Sequence, residues 1–229
     1  MRLGILGGTF NPIHCGHLLC AGQVREKLAL DQVIFIPTGQ PPHKEGNPVL
    51  NPYHRLAMAY LATMPFAAFT VSTLEVERPG KSYSVETITA IRDCFSPETE
   101  FFFILGSDAI LEIGTWKDTD KLLKSCDFAV VNRPDHEVDD LFSHLQDSVK
   151  SRYPELEFLP SKPSGSGGMI GIKGSPYSVH MVPSLTLRIS ASEIRQRLRQ
   201  GRSVAGLVPT AVERHIVKYG LYLKEDSWR

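Results

Sequence analysis

Gly7-Gly8-Thr9-Phe10-Asn11-Pro12-Ile13-His14-Cys15-Gly16-His17 joins two segments of different rhythm. Before it runs Leu3-Gly4-Ile5-Leu6, a short apolar stretch that reads as a buried strand. After it, from Gly16 onward, Leu18, Ala21, Val24 and Leu28 recur at helical spacing with Gln23, Arg25, Glu26 and Lys27 between them. The quoted run is therefore a strand-to-helix turn. Two glycines permit tight turning and a close approach of backbone N–H groups to a phosphate. Gly16 and His17 fall at the start of the helix, where unpaired amides and the dipole favour an anion. Two imidazoles three residues apart can both donate to phosphate oxygens there. The same histidines also admit a capping role, and His14, Cys15 and His17 are each possible metal ligands. Neighbours in one turn rarely converge on one ion, and the chain shows no further ligand cluster, so no protein-held metal is expected.

The same alternation continues outward. Val33–Ile36 predicts a second strand, stopped by Pro37, and a Pro- and Gly-rich loop runs to Pro48. Asn51 reads as an N-cap with Pro52 at the first helical position, opening a helix that carries Leu56, Ala59, Tyr60 and Ala62. Phe69–Leu74 is a third strand candidate, and Ser84 a cap for a helix through Val85, Ile88 and Ile91. Phe101–Leu105 and Phe128–Val131 are continuous apolar runs, the mark of strands buried on both faces. Residues 161–178 are rich in Gly and Ser and read as a flexible insertion. Val179–Val182 predicts a last strand. Ser190 or Ser192 begins one helix, and Pro209 another that ends near Gly220. Alternating strands and helices predict an open, doubly wound, mainly parallel α/β sheet with a small C-terminal helical portion. In such sheets ligands bind at the carboxyl ends of the strands, which selects Gly7–Phe10, Thr38–Lys44, Gly106–Asp108 and Asn132–Pro134.

Composition narrows the partners. Lys plus Arg and Asp plus Glu each total 25, so no basic excess points to nucleic acid. Four scattered cysteines, Cys15, Cys20, Cys94 and Cys126, suggest neither a disulfide scaffold nor a zinc site. No run approaches the roughly 20 apolar residues of a membrane span. The apolar run at the N-terminus is too short for a signal peptide, so a cytoplasmic protein is expected. A homo-oligomer is compatible with all of this.

GGTFNPIHCGH also resembles the signature of the nucleotidyltransferase superfamily with its H-x-G-H motif, and in particular that of the bacterial nicotinate-nucleotide adenylyltransferases. PPHK (41–44), SYSVET (82–87), ILGSD (104–108), Trp116, NRP (132–134), ISASEIR (189–195) and LVPTAVERHIVKYGLY (207–222) follow in family order. The resemblance spans the chain except 161–178 and implies one Rossmann-like nucleotidyltransferase domain over 1–229. It implies transfer of AMP from ATP to nicotinate mononucleotide, with Mg²⁺ carried by the triphosphate.

The matched residues receive roles from the same resemblance. His14 and His17 would be catalytic, holding the ATP phosphates by charge and position rather than as nucleophiles. Gly7, Gly8, Thr9, Phe10, Gly106, Asp108, Arg133, Ile189, Ser190, Ser192 and Arg195 would line the ATP side. Ser190 and Ser192 would cradle the outer phosphates. Asp108 would accept from ribose hydroxyls, with Gly106 leaving room for the sugar. Lys44 would bind the mononucleotide phosphate, and Ser84, Thr87 and Trp116 the pyridine ring. Each has a plainer reading: Ser190 or Asp108 as a helix cap, Lys44 as a loop lysine, Trp116 as core packing. ISASEIR departs from the commoner ISSTxIR at Ala191 and Ser192, and Asn11 stands where many members carry Asp. Two alternatives stay open: the same chemistry on nicotinamide mononucleotide or another phosphorylated acceptor, and a nucleotide-binding module without turnover.

Overall fold

The computed structural model describes residues 1–41, 49–132, 138–164, 167–183 and 189–223. Among these, β1 (Arg2–Gly8) leads into α1 (Cys15–Lys27), then β2 (Gln32–Pro37) and α2 (Pro52–Thr63). The short β3 (Phe69–Val71) and α3 (Leu74–Glu77) follow, then α4 (Ser84–Arg92), β4 (Glu100–Gly106) and α5 (Ser107–Leu111). A 3₁₀ turn at Ile113–Thr115 precedes α6 (Thr119–Leu123), β5 (Asp127–Asn132) and α7 (Val138–Lys150). The chain closes with β6 (Phe158–Ser164), β7 (Gly167–Ile172), β8 (Ser178–Pro183), α8 (Ala191–Arg199) and α9 (Thr210–Tyr219). The strand order is β3-β2-β1-β4-β5-β8-β7-β6. The pairs β1–β4, β4–β5 and β5–β8 are parallel, and β8–β7–β6 is an antiparallel edge. This is the mainly parallel α/β sheet expected, with two helices at the C-terminal end.

The described residues group into two compact units, each assembled from three stretches of chain. One unit comprises Met1–Leu6, Cys20–Val33 and Tyr83–Thr186; the other comprises Gly7–Leu19, Ile34–Ser82 and Leu187–Arg229. In the first, Phe101–Leu105 and Phe128–Val131 are buried along their whole length. Their unbroken apolar character follows from being covered on both faces.

Local signals explain the helices of the second unit. The Asn51 side chain accepts the Tyr53 N–H at 2.9 Å, and Pro52 occupies the first turn, where a missing donor costs nothing. α9 ends at Gly220, whose φ of 61° permits the left-handed cap, with the Leu221 N–H reaching back to the Ile216 carbonyl at 3.0 Å.

Three expectations are corrected. The third strand stops at Val71 rather than Leu74, because the Ser72 hydroxyl accepts the Leu74 N–H at 3.2 Å and turns the chain into α3. Ser84 is the first residue of α4 rather than its cap, a position that Tyr83 takes without a side-chain bond. The stretch 161–178, read from its composition as a flexible insertion, enters β6, β7 and the start of β8 over its described residues. Ile170 and Ile172 are buried two residues apart, on one face of the strand.

Candidate active site

The second unit holds the H-x-G-H turn. His14 and His17 stack with ring centroids 3.6 Å apart and 26° between planes. The backbone N–H of His14 donates to Nδ1 of His17 at 3.1 Å. Nδ1 of His17 is thus an acceptor, and its proton resides on Nε2. The Phe10 ring meets His17 edge-on at 5.0 Å and also packs on Phe35. Phe10 has φ of 46°, an uncommon backbone for a bulky residue. Gly8 allows the fold-back, for a Cβ there would lie 2.9 Å from that ring. Gly16 serves His14 in the same way, since its Cβ would lie 3.0 Å from Nδ1 of His14.

Nδ1 of His14 is buried and has no hydrogen-bond partner among the described residues. Burial holds His14 down to about 4. His17 is likewise well below the ordinary histidine value, first from burial and then from repulsion by His14. Both rings are therefore neutral near pH 7. At the start of α1, the Cys15 amide already donates to the Leu207 carbonyl and the His17 amide to that of His14, each at 2.9 Å. The imidazole N–H groups, more than the helix amides, are what this turn offers an anion.

ISASEIR lies in the same unit. The Ser190 hydroxyl accepts the Glu193 N–H at 3.1 Å and caps α8, and its own proton remains a donor. Ser192 is exposed and Ile189 half-buried. Arg195 donates to the Asn11 carbonyl at 2.8 Å and to the Ser192 hydroxyl at 3.2 Å. The turn and this helix are thereby joined across 184 positions. The Asn11 side-chain oxygen in turn accepts the hydroxyl of the fully buried Tyr222 at 3.0 Å.

Sequence reasoning missed Arg55. It is buried, and its guanidinium donates to four carbonyls: Leu50 at 2.8 Å, Thr9 at 2.7 Å, Thr38 at 2.6 Å and Gly39 at 2.9 Å. An arginine within a helical apolar pattern reads as surface, and partners 46, 17 and 16 positions away leave no local trace.

The other matched residues lie in the first unit. Gly106 precedes α5 with φ of −77°, and among the described residues a Cβ there would meet no atom within 4 Å. The described residues give no packing reason for glycine at this position. Asp108 is exposed within the first turn of α5, whose cap is Gly106, so the plain-cap reading of Asp108 is not borne out. Ser84 and Thr87 lie on α4, and Thr87 is buried. Trp116, half-buried, follows the 3₁₀ turn and meets Phe103 edge-on at 6.4 Å. That turn packs tightly on α7: a Cβ on Gly114 would lie 1.9 Å from the Ser148 carbonyl oxygen. Lys117 sits over the Tyr83 ring at 4.5 Å and pairs with Glu86 at 2.7 Å. Lys44 and Arg133 lie outside the described residues. No group of three His, Cys, Asp or Glu side chains suited to a metal occurs among the described residues.

Residues 5–197 match the cytidylyltransferase-like family. A relative from Geobacter sulfurreducens (strain ATCC 51573 / DSM 12127 / PCA), described as a probable nicotinate-nucleotide adenylyltransferase, is 43% identical over 225 residues, covering 97% of this chain and 98% of its own. One from Thermoanaerobacter sp. (strain X514), described in the same words, is 39% identical over 227 residues, covering 99% and 97%. The chain belongs to the nicotinate-nucleotide adenylyltransferase family. Its fold is also that of the Plasmodium falciparum nicotinic acid mononucleotide adenylyltransferase solved with NaAD, at a TM-score of 0.70 and 19% identity, covering 96% of this chain and 97% of that one. Nucleotidyltransferases of this kind generally take ATP with a divalent metal ion. The stacked histidines and Arg195 lie in the second unit, and the residues around Gly106 and Trp116 in the first. Among the described residues no helix is long and apolar enough to cross a membrane.

Proposed function

We propose that this protein is a cytoplasmic adenylyltransferase of NAD biosynthesis, transferring AMP from ATP to nicotinate mononucleotide. A phosphate oxygen of the mononucleotide attacks the α-phosphorus of ATP. The bond to the β-phosphate oxygen breaks, and pyrophosphate leaves as nicotinate adenine dinucleotide forms. The observation that carries this reading is the neutral, stacked His14–His17 pair tied through Asn11 to Arg195. Such an array offers donors to a triphosphate, as positioning and charge stabilisation in a direct transfer between two substrates require. His17 donates through Nε2, Arg195 supplies fixed positive charge, and Ser190 and Ser192 add hydroxyl donors. Lys44 and Arg133 add cationic contacts, Lys44 to the mononucleotide phosphate. Gly106 and Asp108 take the ATP ribose, and Ser84, Thr87 and Trp116 the pyridine ring. Mg²⁺ enters with ATP, carried by the triphosphate.

The test is the purified protein with ATP, Mg²⁺ and nicotinate mononucleotide. Dinucleotide and pyrophosphate should appear in equal amounts. Folded protein that forms neither refutes the proposal. A side-by-side kcat/KM with nicotinamide mononucleotide decides the acid over the amide.

A further inference from the structure

Arg55 is a buried cation that donates four hydrogen bonds to neutral backbone carbonyls. Three of those carbonyls belong to the residues that follow β1 and β2: Thr9, Thr38 and Gly39. Burial lowers its guanidinium to about 10, opposed by Tyr222 and Glu75, so it stays charged near pH 7. Removing a charge from water is costly, and four charge-assisted bonds offset much of that cost.

In a planar trans peptide the C=O and N–H groups point in opposite directions. The bonds Thr9–Phe10 and Thr38–Gly39 are trans, the cis bond being at Asn11–Pro12. With the Thr9 and Thr38 oxygens drawn onto Arg55, the amides of Phe10 and Gly39 are turned away from it. The two turns are further tied by the Thr38 N–H donating to the Gly8 carbonyl at 2.9 Å. Gly39 admits no side chain, since a Cβ would lie 2.0 Å from the Glu75 carbonyl oxygen.

We infer that Arg55 is a positioning residue that orients the Phe10 and Gly39 amides as donors to the phosphate groups of the substrates. It touches no substrate and acts through two peptide planes. The inference rests on the adenylyltransferase reading for its ligand, but its readout is independent of turnover. Lysine cannot replace it, because one ammonium cannot span four carbonyls held by a planar fork.

The test begins with ¹⁵N-labelled wild-type protein titrated with inorganic tripolyphosphate. The Phe10 and Gly39 amide protons should move downfield as they acquire charged acceptors. Arg55→Lys should bind with those two shifts lost or halved. Its kcat should fall about 100-fold, the scale expected for an ångström-sized misplacement. A residue that is only structural would lower the unfolding midpoint of Arg55→Lys while leaving kcat per folded molecule and both amide shifts as in wild type, and that result overturns the inference. So does wild-type protein that binds tripolyphosphate with neither amide moving, which decides the matter even where Arg55→Lys does not fold. Should wild type make no dinucleotide yet show both shifts, the enzymatic reading fails and the role of Arg55 stands.

Discussion

Acidification should weaken this fold through the very ring that the proposed chemistry uses. An unfolded histidine takes up its proton near pH 6.5, whereas folded His14 waits until about 4. Between those values the unfolded chain binds the extra proton, so stability falls as pH drops. The contribution is complete above about pH 6.5, declines through the window, and declines no further below about 4. At about 1.4 kcal/mol for each tenfold change in proton activity, the gap is worth about 3 kcal/mol for His14. His17 is shifted in the same direction and adds to the loss. The carboxylates titrate over the same range, so the informative quantity is a difference. Urea unfolding of wild type and His14→Asn at pH 7, 6, 5 and 4 isolates it. Wild type should lose about 3 kcal/mol relative to the variant between pH 7 and 4. A difference that stays constant with pH would refute the claim that His14 is held neutral by burial.

Three further outcomes follow from the geometry. His17→Ala should cut kcat by two to three orders of magnitude, about 3–4 kcal/mol of barrier, with the thermal unfolding curve nearly unchanged; steady-state kinetics beside calorimetry checks both. Gly106→Ala should leave stability within about 0.5 kcal/mol, since the added methyl meets no atom of the described residues, while raising the KM for ATP. Equal KM values would remove Gly106 from the site. Gly114→Ala must displace the 3₁₀ turn from the Ser148 carbonyl and so shift Trp116, costing about 1–3 kcal/mol of stability. Its KM for the mononucleotide should rise while that for ATP holds.

Where the signal was local, the sequence could be read. The Asn51–Pro52 start, the Gly220 stop and the apolar runs of β4 and β5 each depend on neighbours in the chain. So did the turn at Gly7–Phe10, whose two glycines and following helix are contiguous. The β6–β7 pair was read as an insertion because glycine and serine dominate its composition, while Ile170 and Ile172 gain meaning only from the strands opposite. Ser84 looked like a cap by residue type, but the chain enters α4 one residue earlier. Arg55 and Tyr222 were invisible as site elements for a stronger reason. Their partners are backbone groups and an asparagine far away in sequence, and no spacing rule reports such pairs.

The contacts that tie Asn11 to Arg195 and Tyr222 span 184 and 211 positions. They also set a timetable for synthesis. The histidine turn leaves the ribosome 184 positions before the arginine that fixes it. A nascent chain halted before Arg195 carries both histidines and lacks the cation tied to their turn. The turn would then gain this tie only once Arg195 has been made.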